Sequence, residues 1–467
     1  MKIKTTLKRG SEIIVSIESL AFGGKGLARH DNIVIFVKNG IPGQKLKVVI
    51  IKKSKNYFEA KILEIVSESI HYNKPVCEHF KYCGGCSFQN LDYSVQIQQK
   101  TQQIKDTFDR IGNQKNYIIY PIQECDNIYE YRNKMEFTFS NRRWILKDEP
   151  PNVKSDFALG LHIPGRYDKI LDIKQCHIQN NIANKILNIV KEYSLHMQPY
   201  DIIEHKGFLR NLMIRHAFNT NQTMVNIVTA SENIKILEPL VSKLIEEINT
   251  IKSIVNNITT RKAGVSTGEY EINLYGENYI QEMINGLTFN ISANSFFQTN
   301  TNQTEKLYSI IVDESELNKD DIVYDLYCGT GTIGISMAKY VKSVYGFEIV
   351  ESAVRDAKVN AKLNNIDNII FFKGDLKNIF RVNLDTEKIE KPSIVVIDPP
   401  RAGMHKQTIE DIVNKKPKKI IYISCNPSTQ ARDVKELSAY NYKLKKILPL
   451  DMFPHTPHLE NIAIIEN

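Results

Sequence analysis

Two residues near the C-terminus have the types and surroundings that nucleophilic catalysis needs. Cys425 lies in "YISCNPST", after an apolar run and before an Asn-Pro turn, and Glu460 precedes the last apolar run in "PHLENIAII". We expect that last strand to return beside the one ending at Cys425, so that the thiol is the nucleophile and the carboxylate a separate general base. A free thiol has a pKa of about 8.5, so a nearby cation, Arg401 or Arg432, is needed to favour the thiolate.

A glycine-rich loop upstream is typical of a nucleotide-like cofactor. "DLYCGTGTIG" places Gly329, Gly331 and Gly334 as G-x-G-x-x-G, and Glu348 follows as an acid suited to a ribose. NAD and S-adenosylmethionine fit this loop equally. The turn "DPPRAG", which begins at Asp398, favours S-adenosylmethionine, because it is stiff and presents side chain and carbonyls to a flat heterocycle. No His or Lys pattern of a dehydrogenase follows the loop.

A thiol, a base and a methyl donor together predict methylation of an unactivated pyrimidine carbon. Addition of a thiolate to C6 of uracil makes C5 nucleophilic toward the sulfonium methyl, and a base then removes the C5 proton. Without this context, a lone cysteine at a strand end is more often a small buried hydrophobe. A uridine must leave its stack to reach Cys425, so we expect a loop or opened region of RNA as substrate.

The last 180 residues contain the elements that must position these groups. Apolar runs such as "DIVYDLY", "SVYGFEI", "SIVVIDPP" and "KIIYISC" alternate with helical stretches. This rhythm predicts a doubly wound parallel sheet whose ligands bind outside the carboxyl ends of the strands. The predicted strand ends bring four side chains to one rim: Asp325, Glu348, Asp398 and Cys425.

Most of the positive charge lies at the N-terminus. The net charge of the chain is +8, and residues 1–65 alone hold 13 Lys and Arg against 5 Asp and Glu. Short β-branched runs between Gly and Pro turns predict an OB-like barrel there. Such local basicity attracts a nucleic-acid backbone, although a solvated basic face that aids solubility is the alternative.

Three cysteines lie within ten residues of each other. "CEHFKYCGGC" places Cys77, Cys83 and Cys86 as C-x5-C-x2-C, and Cys176 is a distant fourth. Four thiolates hold either zinc or an iron-sulfur cluster, and spacing does not decide between them. Unligated reduced thiols are the alternative. "EYRNKMEF" adds Arg132 and Lys134, which either contact phosphates or a flipped base, or are ordinary surface charges of a strand.

The chain is predicted to be a multidomain α/β protein. We place an OB-like barrel at residues 1–67, a central α+β domain with the cysteine cluster at 68–285, and the Rossmann-like domain at 286–467. The helix at 93–112 is expected to pack on the last domain, and its apolar face is predicted to hold Ile97, Ile104, Phe108 and Ile111. No apolar stretch reaches the roughly 18 residues of a membrane span and the start lacks a signal sequence, so we expect a cytoplasmic protein. We also expect it to be a monomer.

The motifs together resemble one known family. "FFQTN", "DLYCGTGTIG", "DPPRAG", "YISCNPSTQARD" and "HLE" occur in the order and spacing of the RNA (uracil-C5)-methyltransferases of the RumA/TrmA type. The stretch "GSEIIVSIESLAFGGKGLAR" resembles a TRAM domain, a small RNA-binding barrel. The resemblance implies a class I methyltransferase fold, with Cys425 as nucleophile and Glu460 as base. Together with the loop glycines, it implies these S-adenosylmethionine-binding residues: Gln298, Tyr327, Gly329, Gly331, Glu348, Asp375 and Asp398.

The resemblance also implies a metal centre and a substrate. In the RumA-like branch the matching cysteines hold a [4Fe-4S] cluster, here Cys77, Cys83, Cys86 and Cys176. Members of the TrmA-like branch typically lack both the cluster and the TRAM domain, so 23S ribosomal RNA is the expected substrate, with no DNA or membrane partner. Three alternatives stay open: a transfer RNA enzyme with accessory domains, a non-catalytic iron-sulfur RNA-binding protein, and a nicotinamide oxidoreductase.

Overall fold

The computed structural model describes residues 7–150, 152–262, 264, 267–376 and 389–467. Three large β-sheets follow one another along the chain, and the last of them also includes a short strand at Ile118–Ile119. Within these described ranges, no helix is long and apolar enough to cross a membrane.

The first sheet has six strands and encloses its own apolar core. Alternate residues of one strand, including Leu46, Val48 and Ile50, point into that core. This is the period of two that a half-buried strand requires. The strands are β1 (Glu12–Ser16), β2 (Ser19–Leu20), β3 (Gly26–His30), β4 (Ile33–Val37), β5 (Lys45–Lys53) and β6 (Tyr57–Ser67), in the order β1-β5-β6-β4-β3-β2.

The segment between the first and second sheets packs against the third sheet. It contains α1 (Tyr93–Arg110) and β7 (Ile118–Ile119). On α1, the predicted apolar positions Ile97, Ile104 and Phe108 are buried in the core of the third sheet. Ile111, which we also placed on that face, lies after the last helical residue and is 44% exposed.

The second sheet has seven strands with helices on one face. Its elements are β8 (Lys134–Ser140), β9 (Ala158–His162), β10 (Ile170–Asp172), α2 (Asn181–Ser194), β11 (Leu209–Ala217), β12 (Gln222–Thr229), α3 (Ile234–Glu247), β13 (Ile251–Ile258) and β14 (Tyr270–Gly276). The strand order is β10-β9-β8-β11-β12-β13-β14. Phe137 of β8 and Leu187 of α2 share one core with Leu240 of α3, because both helices turn their apolar sides to this face.

The third sheet is the predicted doubly wound parallel sheet. A hairpin of β15 (Tyr279–Ile284) and β16 (Leu287–Ser292) leads into it. Its strands are β17 (Ile322–Leu326), β18 (Ser343–Glu348), β19 (Ile369–Lys373), β20 (Ile394–Ile397), β21 (Lys419–Ser424), β22 (Lys443–Leu450) and β23 (Glu460–Glu466). Its helices are α4 (Thr301–Ser315), α5 (Thr332–Ala338), α6 (Glu351–Leu363), α7 (Lys406–Lys415) and α8 (Pro427–Ser438).

One strand of the third sheet runs against the others, and this determines the position of the site. The order is β19-β18-β17-β20-β21-β23-β22-β7, with β23 antiparallel to both of its neighbours. The first residue of β23 therefore lies at the edge where the parallel strands end. Cys425 and Glu460 thus reach the same rim from opposite strand directions.

Candidate active site

Cys425 and Glu460 lie across from each other at the rim of the third sheet. Ser424, the last residue of β21, pairs with Asn461 in β23, so the next position outward brings Cys425 opposite Glu460. The thiol is partly exposed, whereas the Glu460 side chain is buried. The geometry brings together the two residues that the sequence identified as nucleophile and base.

The charges around this pair have opposing effects. Burial raises the pKa of the Cys425 thiol, the Glu460 carboxylate raises it further, and Arg401 lowers it. Burial and then Asp398 hold the pKa of Glu460 well above its usual range, and Arg401 again opposes the shift. Arg432, the other cation considered for this role, instead binds Asp433 and the carbonyl of Ala402.

The Asn-Pro turn after Cys425 starts a helix and joins two loops. The Asn426 side chain accepts a hydrogen bond from the Ser428 amide at 3.1 Å, and Pro427 occupies the first turn of α8. Asparagine is a favoured helix cap, and proline at the first helical position has no amide that needs a partner. The Asn426 side chain also donates to the Arg401 carbonyl at 3.0 Å, which ties "SCNP" to "DPPR".

The backbone of the glycine loop adopts conformations that favour glycine. Tyr327, Gly329 and Gly331 all have positive φ, and a Cβ at Gly331 would lie 2.8 Å from the Phe371 ring. The Glu348 carboxylate at the end of β18 accepts the Gly329 amide at 3.0 Å. Loop and acid therefore form one unit at the rim, where a nucleoside part of a cofactor would lie.

The other predicted cofactor residues surround this unit. Gln298 is buried, and its backbone carbonyl accepts the Asn133 side chain at 2.9 Å. Asp398 follows β20, and burial raises its pKa to about 7. Asp375 lies just beyond β19, close enough to Tyr327 to affect the pKa of its phenol. A cationic sulfonium would favour the ionised form of such buried carboxyls.

Family models match both ends of the chain. Residues 6–63 match the TRAM domain, and residues 269–467 match the tRNA (Uracil-5-)-methyltransferase model. An uncharacterized RNA methyltransferase of Chlorobaculum tepidum is 40% identical over 435 residues, which cover 91% of this chain and 89% of the relative. The chain belongs to the RNA (uracil-5)-methyltransferases. Membership makes it an S-adenosylmethionine-dependent enzyme and sets aside the nicotinamide and non-catalytic alternatives.

Two further relatives span almost the whole methyltransferase. An uncharacterized RNA methyltransferase of Porphyromonas gingivalis is 40% identical over 463 residues, covering 97% of this chain and 99% of the relative. Among solved structures, the tRNA (uracil-54, C5)-methyltransferase of Pyrococcus abyssi, in complex with S-adenosyl-L-homocysteine, has a TM-score of 0.72 and 27% identity. That alignment covers 97% of this chain and all of the neighbour.

An exposed aromatic residue at the rim of the methyltransferase site was missed by the sequence reasoning. Phe296 is 70% exposed, two residues before Gln298. An exposed phenylalanine beside a cofactor residue is suited to stack on a base. Its neighbour Phe297 is buried, and a doubled Phe in the sequence does not reveal which ring faces outward. The "FFQTN" motif itself was the available signal.

The segment that leads to Glu460 is anchored to residues 77–88, which we call the cysteine loop. The amides of Ser87 and Phe88 both donate to the His455 carbonyl, at 2.7 and 3.0 Å. The His455 amide donates to Gln96 of α1 at 3.0 Å, and its ring lies 4.5 Å from that of Tyr129. The cysteine loop and α1 therefore hold the chain just before Glu460.

A buried ion pair anchors the same segment to α1. The Lys100 ammonium lies 2.6 Å from an Asp451 oxygen, and both side chains are almost completely buried. The Tyr93 hydroxyl donates to the other oxygen of this carboxylate at 2.9 Å. A buried pair with further hydrogen bonds holds its two elements in one arrangement.

The four cysteines predicted as metal ligands surround one cavity of about 220 Å³. Backbone amides point at the sulfurs, as when the Gly85 amide donates to the Cys83 sulfur at 3.3 Å. The thiols raise each other's pKa, and burial raises the pKa of Cys83 to about 11. Nevertheless, no three His, Cys, Asp or Glu side chains in the described ranges are arranged to hold a metal ion.

Proposed function

We propose that the enzyme methylates C5 of a specific uridine in 23S ribosomal RNA through a covalent intermediate on Cys425. The observation that carries this proposal is the placement of Cys425 opposite Glu460, at the rim that also holds the glycine loop. The residue roles, the domain boundaries after residues 67 and 285, the cytoplasmic location and the monomeric state all stay predictions.

The proposed reaction uses both residues in turn. The Cys425 thiolate adds to C6 of the uracil, and C5 then attacks the sulfonium methyl as S-adenosylhomocysteine leaves. Glu460 takes the C5 proton, and the C6–S bond breaks to release 5-methyluridine and the thiolate. The raised pKa of Glu460 suits a base that must accept a proton near neutral pH.

We also propose that Cys77, Cys83, Cys86 and Cys176 hold a [4Fe-4S] cluster. The donor set supports it, because all four sulfurs line one cavity and the Gly85 amide donates a hydrogen bond to the Cys83 sulfur. The sulfurs are not gathered around a single-ion position, as a tetrahedral zinc site would require. In a cluster each thiolate binds a different iron, so its ligands lie further apart. The cluster would contribute to folding and to the docking of RNA.

Transfer RNA is the second candidate substrate. The solved neighbour that spans this whole chain acts on a transfer RNA uracil, and it covers the barrel and central sheets as well as the catalytic one. The accessory modules therefore do not by themselves separate the two substrates. The expectation of ribosomal RNA rests on the resemblance to the cluster-bearing branch.

Product analysis distinguishes these substrates. Purified enzyme is incubated with methyl-labelled S-adenosylmethionine and unmodified transcripts of 23S ribosomal RNA or a transfer RNA pool. Nucleosides are then separated and identified by mass spectrometry. We expect labelled 5-methyluridine from the 23S transcript and little from transfer RNA. Label only in transfer RNA would establish the second candidate, and a product other than 5-methyluridine would contradict the proposal.

A further inference from the structure

A pocket opens on the central sheet, away from the catalytic rim. Thr138 of β8 pairs with Asn211 of β11, and their neighbours Phe137 and Leu212 lie in the core beneath the helices. Since successive residues of a strand point to opposite faces, Thr138 and Asn211 lie on the face that α2 and α3 do not cover. A cavity of about 240 Å³ is found there, which we call the sheet pocket.

The walls of the sheet pocket combine a flat stacking surface with hydrogen-bonding groups. The Arg210 guanidinium lies 4.1 Å from the ring centroid of Tyr200, and only 3% of Arg210 is exposed. Asn211 donates to the Thr138 hydroxyl at 3.2 Å, and His162 also lines the cavity. A bulge between Leu209 and Asn211 brings the consecutive residues Arg210 and Asn211 to one cavity.

The described residues at the rim of the pocket include an exposed ring, and two carboxylates there are paired with arginines. Tyr167 is 70% exposed. Two guanidinium nitrogens of Arg166 donate to the Asp168 carboxylate beside it, at 2.8 and 2.9 Å. Asp201 is similarly bound by Arg142. These acids therefore repel a polyanion little, and their arginines are already engaged and do not offer a phosphate site.

The sheet pocket lies on the same face as the catalytic loop. Arg215, four residues along β11 from Asn211 and on the same side, donates to the Ser295 carbonyl at 3.0 Å. Ser295 immediately precedes Phe296 in the loop that carries Gln298. At roughly 3.4 Å per strand residue, the pocket is about 14 Å from that contact. An RNA strand that passes this loop on its way to the rim covers that distance within a few nucleotides.

We propose that the sheet pocket receives one unstacked nucleobase of the RNA substrate, a few nucleotides from the uridine that is methylated. The proposal rests on the proposed RNA methylation. Proteins read single-stranded RNA by stacking splayed bases on aromatic and guanidinium planes and by hydrogen bonds to base edges, and this pocket offers both. Its volume is below the roughly 300 Å³ of typical small-molecule pockets and suits a single base. Because carboxylates engage Arg142 and Arg166, the described part of the rim favours a base within a chain over a free nucleotide.

Substitutions at the rim and the floor test the pocket. The full-length Tyr167→Ala and Thr138→Phe variants remove the exposed ring and fill the cavity, respectively. Tyr167→Phe keeps the ring, and Tyr440→Ala removes another exposed tyrosine, which follows α8 at the sheet edge opposite the catalytic rim. The Kd of each variant for the unmodified substrate transcript is measured by filter binding. The kcat is measured by label incorporation at saturating RNA. Thermal melting confirms that each variant folds.

Loss of one base stack corresponds to about 5-fold to 100-fold weaker binding. We expect such an increase in Kd for Tyr167→Ala and Thr138→Phe, with kcat at saturation unchanged and both control variants near wild type. If both test variants bind RNA with the wild-type Kd while the wild type still forms 5-methyluridine, the proposed base-binding role of the pocket is contradicted and the proposed function is not. A pocket effect on binding without any C5 methylation would overturn the proposed function instead. Mononucleotides that compete at micromolar concentration would make this a nucleotide site and overturn the RNA assignment.

Discussion

The Cys425 thiol lies where burial and a neighbouring carboxyl both disfavour its ionised form. Arg401 favours ionisation of both Cys425 and Glu460, so one guanidinium affects the proposed nucleophile and the proposed base together. Asp398 links this pair to the cofactor side, because it raises the pKa of both groups. Binding of the cationic methyl donor next to Asp398 would offset part of this repulsion.

Removal of the Arg401 charge is predicted to shift the pH dependence of methylation. Without the guanidinium, the pKa values of Cys425 and Glu460 rise further, so both groups ionise at higher pH. In Arg401→Ala we expect the rising limb of the rate against pH to move up by about one unit. The rate should then be about tenfold lower at neutral pH and recover under alkaline conditions. Single-turnover rates between pH 6 and 9 measure this.

Arg401→Lys is the control for that experiment. It keeps the positive charge, so its profile should lie close to that of the wild type. An Arg401→Ala variant that loses activity equally at every pH would contradict the electrostatic role and indicate a structural one.

Glu460→Gln is predicted to separate the two halves of the reaction. Addition of Cys425 and methyl transfer need no base at C5, whereas release does. We expect turnover to fall about 10²-fold to 10⁴-fold while a covalent protein-RNA complex accumulates on ordinary RNA, detected on denaturing gels. Glu466→Gln, the same change at the other end of β23, should behave as wild type. Equal loss of turnover and of covalent complex in Glu460→Gln would contradict its role as the base.

At the level of elements, the segment from Asp451 to Pro457 links β23, which begins at Glu460, to α1 and the cysteine loop. Sequence periodicity predicted α1 and most of its buried face, and apolar runs predicted the parallel strands. Neither predicted that β7, only two residues long, would join the third sheet. So short a strand owes its pairing to distant neighbours and carries almost no local signal. The choice of Arg401 over Arg432 also depended on loop geometry.

Removal of one partner from the buried pair of Lys100 and Asp451 is predicted to destabilise the protein strongly. Lys100→Ala leaves a carboxylate buried without its partner, which costs about 3–5 kcal/mol. We expect the midpoint of urea unfolding, measured by circular dichroism, to fall accordingly. Lys185→Ala, which breaks a more exposed pair with Glu247, should cost at most about 1 kcal/mol. Similar losses in the two variants would contradict this assignment.

Loss of the proposed cluster is predicted to loosen the segment before Glu460. The cysteine loop holds the His455 carbonyl with two amides, so a disordered loop would release it. We expect faster deuterium exchange in residues 451–460 after the cluster is oxidised and chelated, with β11 as the unchanged internal reference. Unchanged exchange in residues 451–460 after verified loss of iron would show that the loop holds this segment without the metal.

On the scale of the whole molecule, the basic barrel lies beside the catalytic rim. The backbone amide and carbonyl of Leu20 bond to Gln99 and Gln103 of α1, and Gly24 packs near Phe88 and Pro457. The excess of Lys and Arg in residues 1–65 predicted that the N-terminal barrel is positively charged. Its docking on α1 depends on contacts between residues about 80 positions apart, which no local pattern specifies.

The barrel is predicted to supply RNA affinity through phosphate contacts. Lys55 and Lys61 are exposed on it, and their joint replacement by Ala should reduce the slope of log K against log salt by about 1.4 for single-stranded RNA. Fluorescence anisotropy between 50 and 300 mM salt measures this. The double variant of Lys435 and Lys443, equally exposed on the third domain, is the matched control. An equal slope in both double variants would contradict a special role for the barrel.

The proposed covalent bond between Cys425 and uracil C6 is tested most directly with 5-fluorouridine-substituted 23S and transfer RNA transcripts. Fluorine at C5 is not removed as a proton, so the enzyme should stall as an adduct that survives denaturation in the presence of S-adenosylmethionine. The account predicts this adduct for the wild type and for Glu460→Gln, and its loss in Cys425→Ala. RNA that binds tightly yet forms no adduct, or an adduct that persists in Cys425→Ala, would contradict the account.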